Sequence, residues 1–82
     1  MTVYVDALHP YGAKGEWCHL ASESLEELHA AAQRIGLRRE WFQDKPRFPH
    51  YDLPALGRRI AVELGAVEIT SMEMARKFAR RF

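Results

Sequence analysis

One short run concentrates three polar groups of different chemistry: His50-Tyr51-Asp52. An imidazole exchanges a proton near neutral pH, and a carboxylate beside it can orient the ring or hold a metal. The run lies just before a segment that opens on Pro54 and reads as helix, where free backbone N–H groups favour an anion. Arg58 and Arg59 follow about one turn later and could clamp a phosphate. On this reading His50 and Asp52 are catalytic candidates, while Tyr51, Arg58 and Arg59 are ligand-binding candidates. The plainer reading has Asp52 capping the helix, Tyr51 packing and His50 facing solvent from a loop.

Asp6 and His19 form a second candidate pair. Asp6 ends an apolar strand-like run and His19 sits inside another, so a hairpin would bring them to one edge of a sheet. Asp6 could equally begin a turn. His29 borders the apolar side of a helix, the usual place of a hydrogen-bonded boundary residue. Four histidines make a divalent metal site arithmetically feasible, but none shows the close His or Cys spacing that marks a zinc motif. The metal question stays open at this level. Arg38-Arg39-Glu40-Trp41-Phe42 interleaves bases and aromatics, a pattern that can stack nucleobases and hold phosphates; in so small a chain such aromatics are more often core. Gly12 and Gly15 lack the surroundings of a phosphate-cradling loop. Cys18 has no basic sequence neighbour and reads as a reduced, buried thiol.

These residues need elements to position them. Residues 2–6 and 16–20 read as two antiparallel strands joined by a loop with Pro10, Gly12 and Gly15. Ser24 with Glu27 has capping-box spacing, and Leu25, Leu28, Ala32 and Ile35 keep helical spacing up to Gly36, so a helix is expected over 25–35. Residues 38–53 read as irregular apart from a helical turn at 39–43, because Pro46 and Pro49 disfavour helix before them. Asp52 or Leu53 then caps a second helix with Leu56, Ile60 and Leu64 as its apolar stripe. Val67-Glu68-Ile69 reads as a third strand. Thr70 with Glu73 opens a last helix with Met74, Phe78 and Phe82 near one face. The expected architecture is α/β (α+β), a three-stranded sheet with helices packed on it in the order β-β-α-α-β-α.

The totals bound the function. The 82 residues, 48% hydrophobic and 28% charged, allow one domain and one core. No apolar run reaches the roughly 18 residues of a membrane span, and no leader peptide is evident, so a cytoplasmic protein is expected. The net charge of +1 hides an acidic first half and a basic second half, which could face an anionic partner.

Val3-Tyr4-Val5-Asp6, His19-Leu20, Glu27-Leu28-His29, Ile35-Gly36-Leu37, Trp41-Phe42-Gln43, Pro49-His50-Tyr51-Asp52-Leu53 and Gly65-Ala66-Val67-Glu68 come in an order that resembles a small bacterial and phage family, a domain of unknown function. Members often carry Asp where this chain has Ser22. The resemblance implies no mechanism; it implies that Asp6, His19, His29, His50, Tyr51 and Asp52 belong to one shared pattern. The expectation is therefore a small enzyme or ligand-binding domain acting on a phosphate-bearing, nucleotide-like molecule. The alternatives are a nucleic-acid-binding module and a protein-interaction or homodimerisation domain.

Overall fold

The computed structural model describes residues 2–79, apart from the side chain of Ala79. Its strands are β1 (Tyr4–Val5), β2 (His9–Pro10), β3 (Glu16–Ala21), β4 (Tyr51–Pro54) and β5 (Val67–Glu68). Its helices are α1 (Leu25–Ile35), α2 (Ala55–Glu63) and the short α3 (Ser71–Met74), which widens into a π turn over Ala75–Ala79. The α+β class is as expected, but the sheet has five strands instead of three, so the expected element order lacks β2 and β4.

β3 is the hub. Leu20 pairs with Val5 of β1 and with Tyr51 of β4, while Trp17 pairs with His9 of β2 and with Pro54 of β4. β4 therefore occupies one edge of β3, and β1 and β2 share the other, all antiparallel to it. β5 runs parallel to β1 on its far side. The expected loop over 7–16 thus contains β2 and a 3₁₀ turn at Gly12–Lys14.

The largest departure from expectation is β4. Residues 50–54 alternate polar and apolar, His-Tyr-Asp-Leu-Pro, which is the period of a half-buried strand. Pro49 and Pro54 mask that signal, yet Pro54 ends the strand, where its missing N–H breaks nothing. Neither Asp52 nor Leu53 caps α2; Pro54 holds the N-cap position, with no side-chain cap.

Alternation along the strands gives the sheet two unlike faces. Val3, Val5, Cys18, Leu20, Tyr51 and Leu53 turn to one side and pack with Leu28, Ala31, Ala32 and Ala61 of α1 and α2. On the other side a smaller cluster joins Ala21, Met74 and Phe78 to Tyr4, Phe48 and Ile69. Helix α1 spans the expected residues because Ser24 accepts from the Glu27 amide and Gly36 takes the left-handed conformation at φ 99°. The reciprocal half of that capping box is absent: the Glu27 carboxylate instead accepts from the Thr2 amide. Both halves exist at Thr70 and Glu73.

Helix α2 corrects the expected stripe. Its buried residues are Gly57 and Ala61, while Leu56 is 65% and Leu64 42% exposed. Small residues face the sheet because the helix lies close to it; a Cβ on Gly57 would stand 3.1 Å from Leu53 Cδ2. Phe82, Arg80 and Arg81 lie outside the described residues. Among the described residues no helix is long and apolar enough to cross a membrane.

Candidate functional site

Across the face covered by the smaller cluster, three strands place polar residues in a row. His19 on β3 pairs with Asp52 on β4, and Asp6, one step past the Val5–Leu20 pair, stands on its other side with its amide directed to the His19 carbonyl. Directly opposed residues share a face. His50 lies two residues before Asp52 and joins the same face by the period of two. Its backbone is fixed by paired hydrogen bonds with Gln43 at 2.8 and 3.2 Å.

Each imidazole has one nitrogen committed. Asp6 is 2% exposed, and its carboxylate accepts from the His19 amide at 2.7 Å and from His19 Nδ1 at 2.8 Å. His50 Nδ1 lies 2.6 Å from the Phe48 carbonyl oxygen, which can only accept, so Nδ1 carries the proton. In the neutral rings Nε2 of both histidines thus carries the lone pair, and that of His50 bonds to Asp52 only when the ring is protonated. His50 Nε2 lies 3.3 Å from Asp52 Oδ1. One ligand atom from each of His19, His50 and Asp52 lies within 4.8 Å of the other two, so these three residues could hold a metal. The Phe48 ring stacks on His50 at 4.4 Å between centroids and meets His19 edge-on at 5.2 Å, buttressing both.

The electrostatics follow from this geometry. Burial pushes the Asp6 carboxyl up, but hydrogen bonds from the His19 ring and amide, with the charges of His19 and His9, outweigh it and hold it below the ordinary value. The hydrogen bond to Asp6 raises His19 above 6.5 against its partial burial, with help from the charges of Asp6 and Asp52. The hydrogen bond to His50 lowers Asp52; burial opposes it, and the charges of His50, His19 and Lys45 reinforce it. At neutral pH both carboxylates are ionised.

The cluster opens on a cleft of about 470 Å³ lined by Tyr11, Lys14, Trp17, Cys18, His19, Gln43, Lys45, His50 and Asp52. Two ammonium groups and two aromatic rings thus border the His–Asp cluster. Trp17 Nε1 donates to the Lys14 carbonyl at 2.8 Å, tying the 11–15 loop to β3. Cys18 is no nucleophile: burial, then the charge of Asp6, push its thiol up to about 12.

Of the residues singled out in the sequence, Asp6, His19, His50 and Asp52 come together. Tyr51, Arg58 and Arg59 do not line this cleft. Tyr51 is 1% exposed on the opposite face, its hydroxyl 2.8 Å from His29 Nδ1, which places His29 as a hydrogen-bonded boundary residue. Arg58 donates to the Asp6 carbonyl at 2.7 Å and to Glu68 at 3.1 Å, pinning β1 to α2 and β5. Arg59 lines a separate groove with Leu8, Val62 and Glu63. Arg38 pairs with Glu40 at 2.8 Å and Arg39 lies over the Phe42 ring. Sequence reasoning missed Lys14, Trp17, Lys45 and Phe48, whose only signal was proximity to the glycine loop or to Pro49-His50.

Fold and cluster together define a small α+β domain with a histidine–carboxylate cleft on one sheet face. The chain belongs to the family described as "Protein of unknown function (DUF4031)", whose model matches residues 3–81. No curated protein and no solved structure matches it.

Proposed function

We propose that the chain binds a phosphate-bearing small molecule of nucleotide size in this cleft and acts on it at the His19–His50–Asp52 cluster. The observation that supports this is the placement of Lys14 and Lys45 on the same cleft as His19, His50 and Asp52. The ammonium groups take the role that sequence reasoning gave to Arg58 and Arg59. Lysine suits an oxyanion as a compact point charge, and the exposed Tyr11 ring with Trp17 offers a surface for a planar base. His50, held through Nδ1 by the Phe48 carbonyl, exchanges a proton at Nε2 with the bound molecule or with Asp52, and Asp6 holds His19 in the matching tautomer. A cytoplasmic, bacterial or phage setting accords with this reading, since Cys18 stays reduced there.

The test is a panel of inorganic phosphate and nucleoside mono-, di- and triphosphates, read by melting temperature and by histidine NMR signals. A binder should raise the melting temperature and move His19 and His50 while leaving His29 in place. In Lys14→Ala/Lys45→Ala the shift should disappear with folding unchanged. If no member of the panel moves either signal, the reading fails.

One observation favours a second reading, self-association. Leu56 and Leu64 are exposed on α2 with the half-buried Ile60 between them, an apolar ridge along one side of the helix. Solution mass by light scattering, with Leu56→Glu as comparison, separates a dimer from a monomer.

A further inference from the structure

We infer that His19, His50 and Asp52 form a binding site for a divalent transition-metal ion, zinc by preference, with one coordination position open to the cleft. The inference deepens the functional reading above and rests on it only for where the ligand sits; the metal can be measured without any ligand.

Ligand spacing is the first argument. Zinc binds imidazole nitrogen and carboxylate oxygen at about 2.0–2.2 Å, so two ligand atoms of a tetrahedral ion stand roughly 3.3–3.5 Å apart. His50 Nε2 and Asp52 Oδ1 already stand 3.3 Å apart. The third donor, from His19, lies within 4.8 Å of both.

The outer partners are the second. A metal-bound histidine donates its other ring N–H to a carboxylate or a backbone carbonyl, which fixes the tautomer and makes the ligating nitrogen more basic. Both partner types are present: Asp6 receives Nδ1 of His19 and the Phe48 carbonyl receives Nδ1 of His50. His9 and His29 bond instead to the hydroxyls of Ser71 and Tyr51 and, among the described residues, join no such group of donors. Phe48 packs against both rings and limits their rotation.

Donor chemistry and charge complete the case. Two imidazoles and one carboxylate suit zinc and its neighbours, whereas magnesium and calcium prefer oxygen donors. The Asp52 carboxylate among these donors offsets half the charge of a dication. Three protein ligands leave a position for water, as in catalytic zinc sites, and such a water ionises near pH 7. It would face the cleft that Lys14 and Lys45 border, and with metal bound it takes over from His50 the part of proton acceptor.

The experiment is titration of chelator-stripped protein with Zn²⁺ by calorimetry and with Co²⁺ by visible absorption. Wild type should bind one ion per chain, and Co²⁺ should give the intense bands of four-coordination. Asp52 is 44% exposed in its side chain, so Asp52→Ala leaves the fold intact by circular dichroism and should weaken zinc binding at least a hundredfold. Asp6→Asn, which touches no metal, should weaken it about 10–100-fold, and His29→Ala should change nothing. On zinc addition the Nε2 signals of His19 and His50 should move together. Absence of stoichiometric binding, or binding indifferent to Asp52→Ala, overturns the inference. Nucleotide binding that persists in chelator without zinc binding sinks the metal site and leaves the cleft reading standing; zinc binding without any phosphate ligand does the reverse.

Discussion

Two histidines of ordinary sequence context acquire opposite character from their surroundings. Asp6 raises His19, whereas burial and then the charge of Arg39 lower His29 despite the opposing charge of Asp44. In chelator-treated protein, NMR titration should therefore give His29 a midpoint below about 6.5 and His19 one above it. The stability consequences have opposite signs. The His19 contribution is fully present below about pH 6.5 and is lost as pH rises through its raised folded value. The His29 contribution is present above about pH 6.5 and is lost as pH falls through its lowered one. Asp6, lowered in the fold, stabilises above about pH 4 and loses that stabilisation on further acidification. Asp6→Asn should bring the His19 midpoint down without moving that of His29. Midpoints in the reverse order would contradict the assigned hydrogen bonds.

The elements that place these residues were unequally legible in the sequence. Helix α1 was plain because its ends carry chemistry, Ser24 at the start and a left-handed Gly36 at the end. β4 was not, since its evidence lies in tertiary pairing with β3 and its two flanking prolines argue locally for irregular chain. The sequence groups His50 and Asp52 with Arg58 and Arg59 ahead of a helix and offers His19 and Asp6 as a second pair; the pairing of β4 with β3 joins those four into one cluster and leaves the arginines out of it. The stripe of α2 was misread for a related reason. Helical spacing favoured Leu56, Ile60 and Leu64, but close approach to the sheet selects Gly57 and Ala61 for the inner side. That packing makes a testable claim. Alanine gains up to about 1 kcal/mol over glycine in a helix, yet at 57 its Cβ would stand 3.1 Å from Cδ2 of the fully buried Leu53, which must shift to accept it. Overpacking costs about 1–3 kcal/mol, so Gly57→Ala should lower stability by about 1 kcal/mol in urea denaturation. A stabilised variant would mean that α2 rides higher on β4 than described. At the other end of the range, Thr70→Ala removes the hydroxyl that accepts from the Glu73 amide, one half of a full capping box, and should cost about 1 kcal/mol.

At the scale of the whole molecule the two sheet faces divide the work. The face under α1 and α2 holds the larger core, and among the described residues the face that bears the site is covered by the smaller cluster of Ala21, Met74, Phe78, Tyr4, Phe48 and Ile69. Phe48 belongs to both cluster and site: it lies 6.4 Å from the Phe78 ring and 4.4 Å from that of His50. Order at the His–Asp cluster is thus coupled to the seating of the C-terminal turn. Phe78 is 4% exposed, and truncating such a ring costs about 3–5 kcal/mol, with each kcal/mol worth about 4–8 °C in a chain of this length. Phe78→Ala should therefore lower the melting temperature by more than about ten degrees, as ~3 kcal/mol at ~4 °C each already implies. Met72, on the same helix but 62% exposed, should tolerate alanine with a change below about 0.5 kcal/mol. The decisive measurement is made below the transition, where Phe78→Ala is still folded: the His19 and His50 ring signals should broaden or shift while that of His29, on the opposite face, stays put. Equal perturbation of all three would show a general loosening, and would mean that the smaller cluster does not act on the site through Phe48.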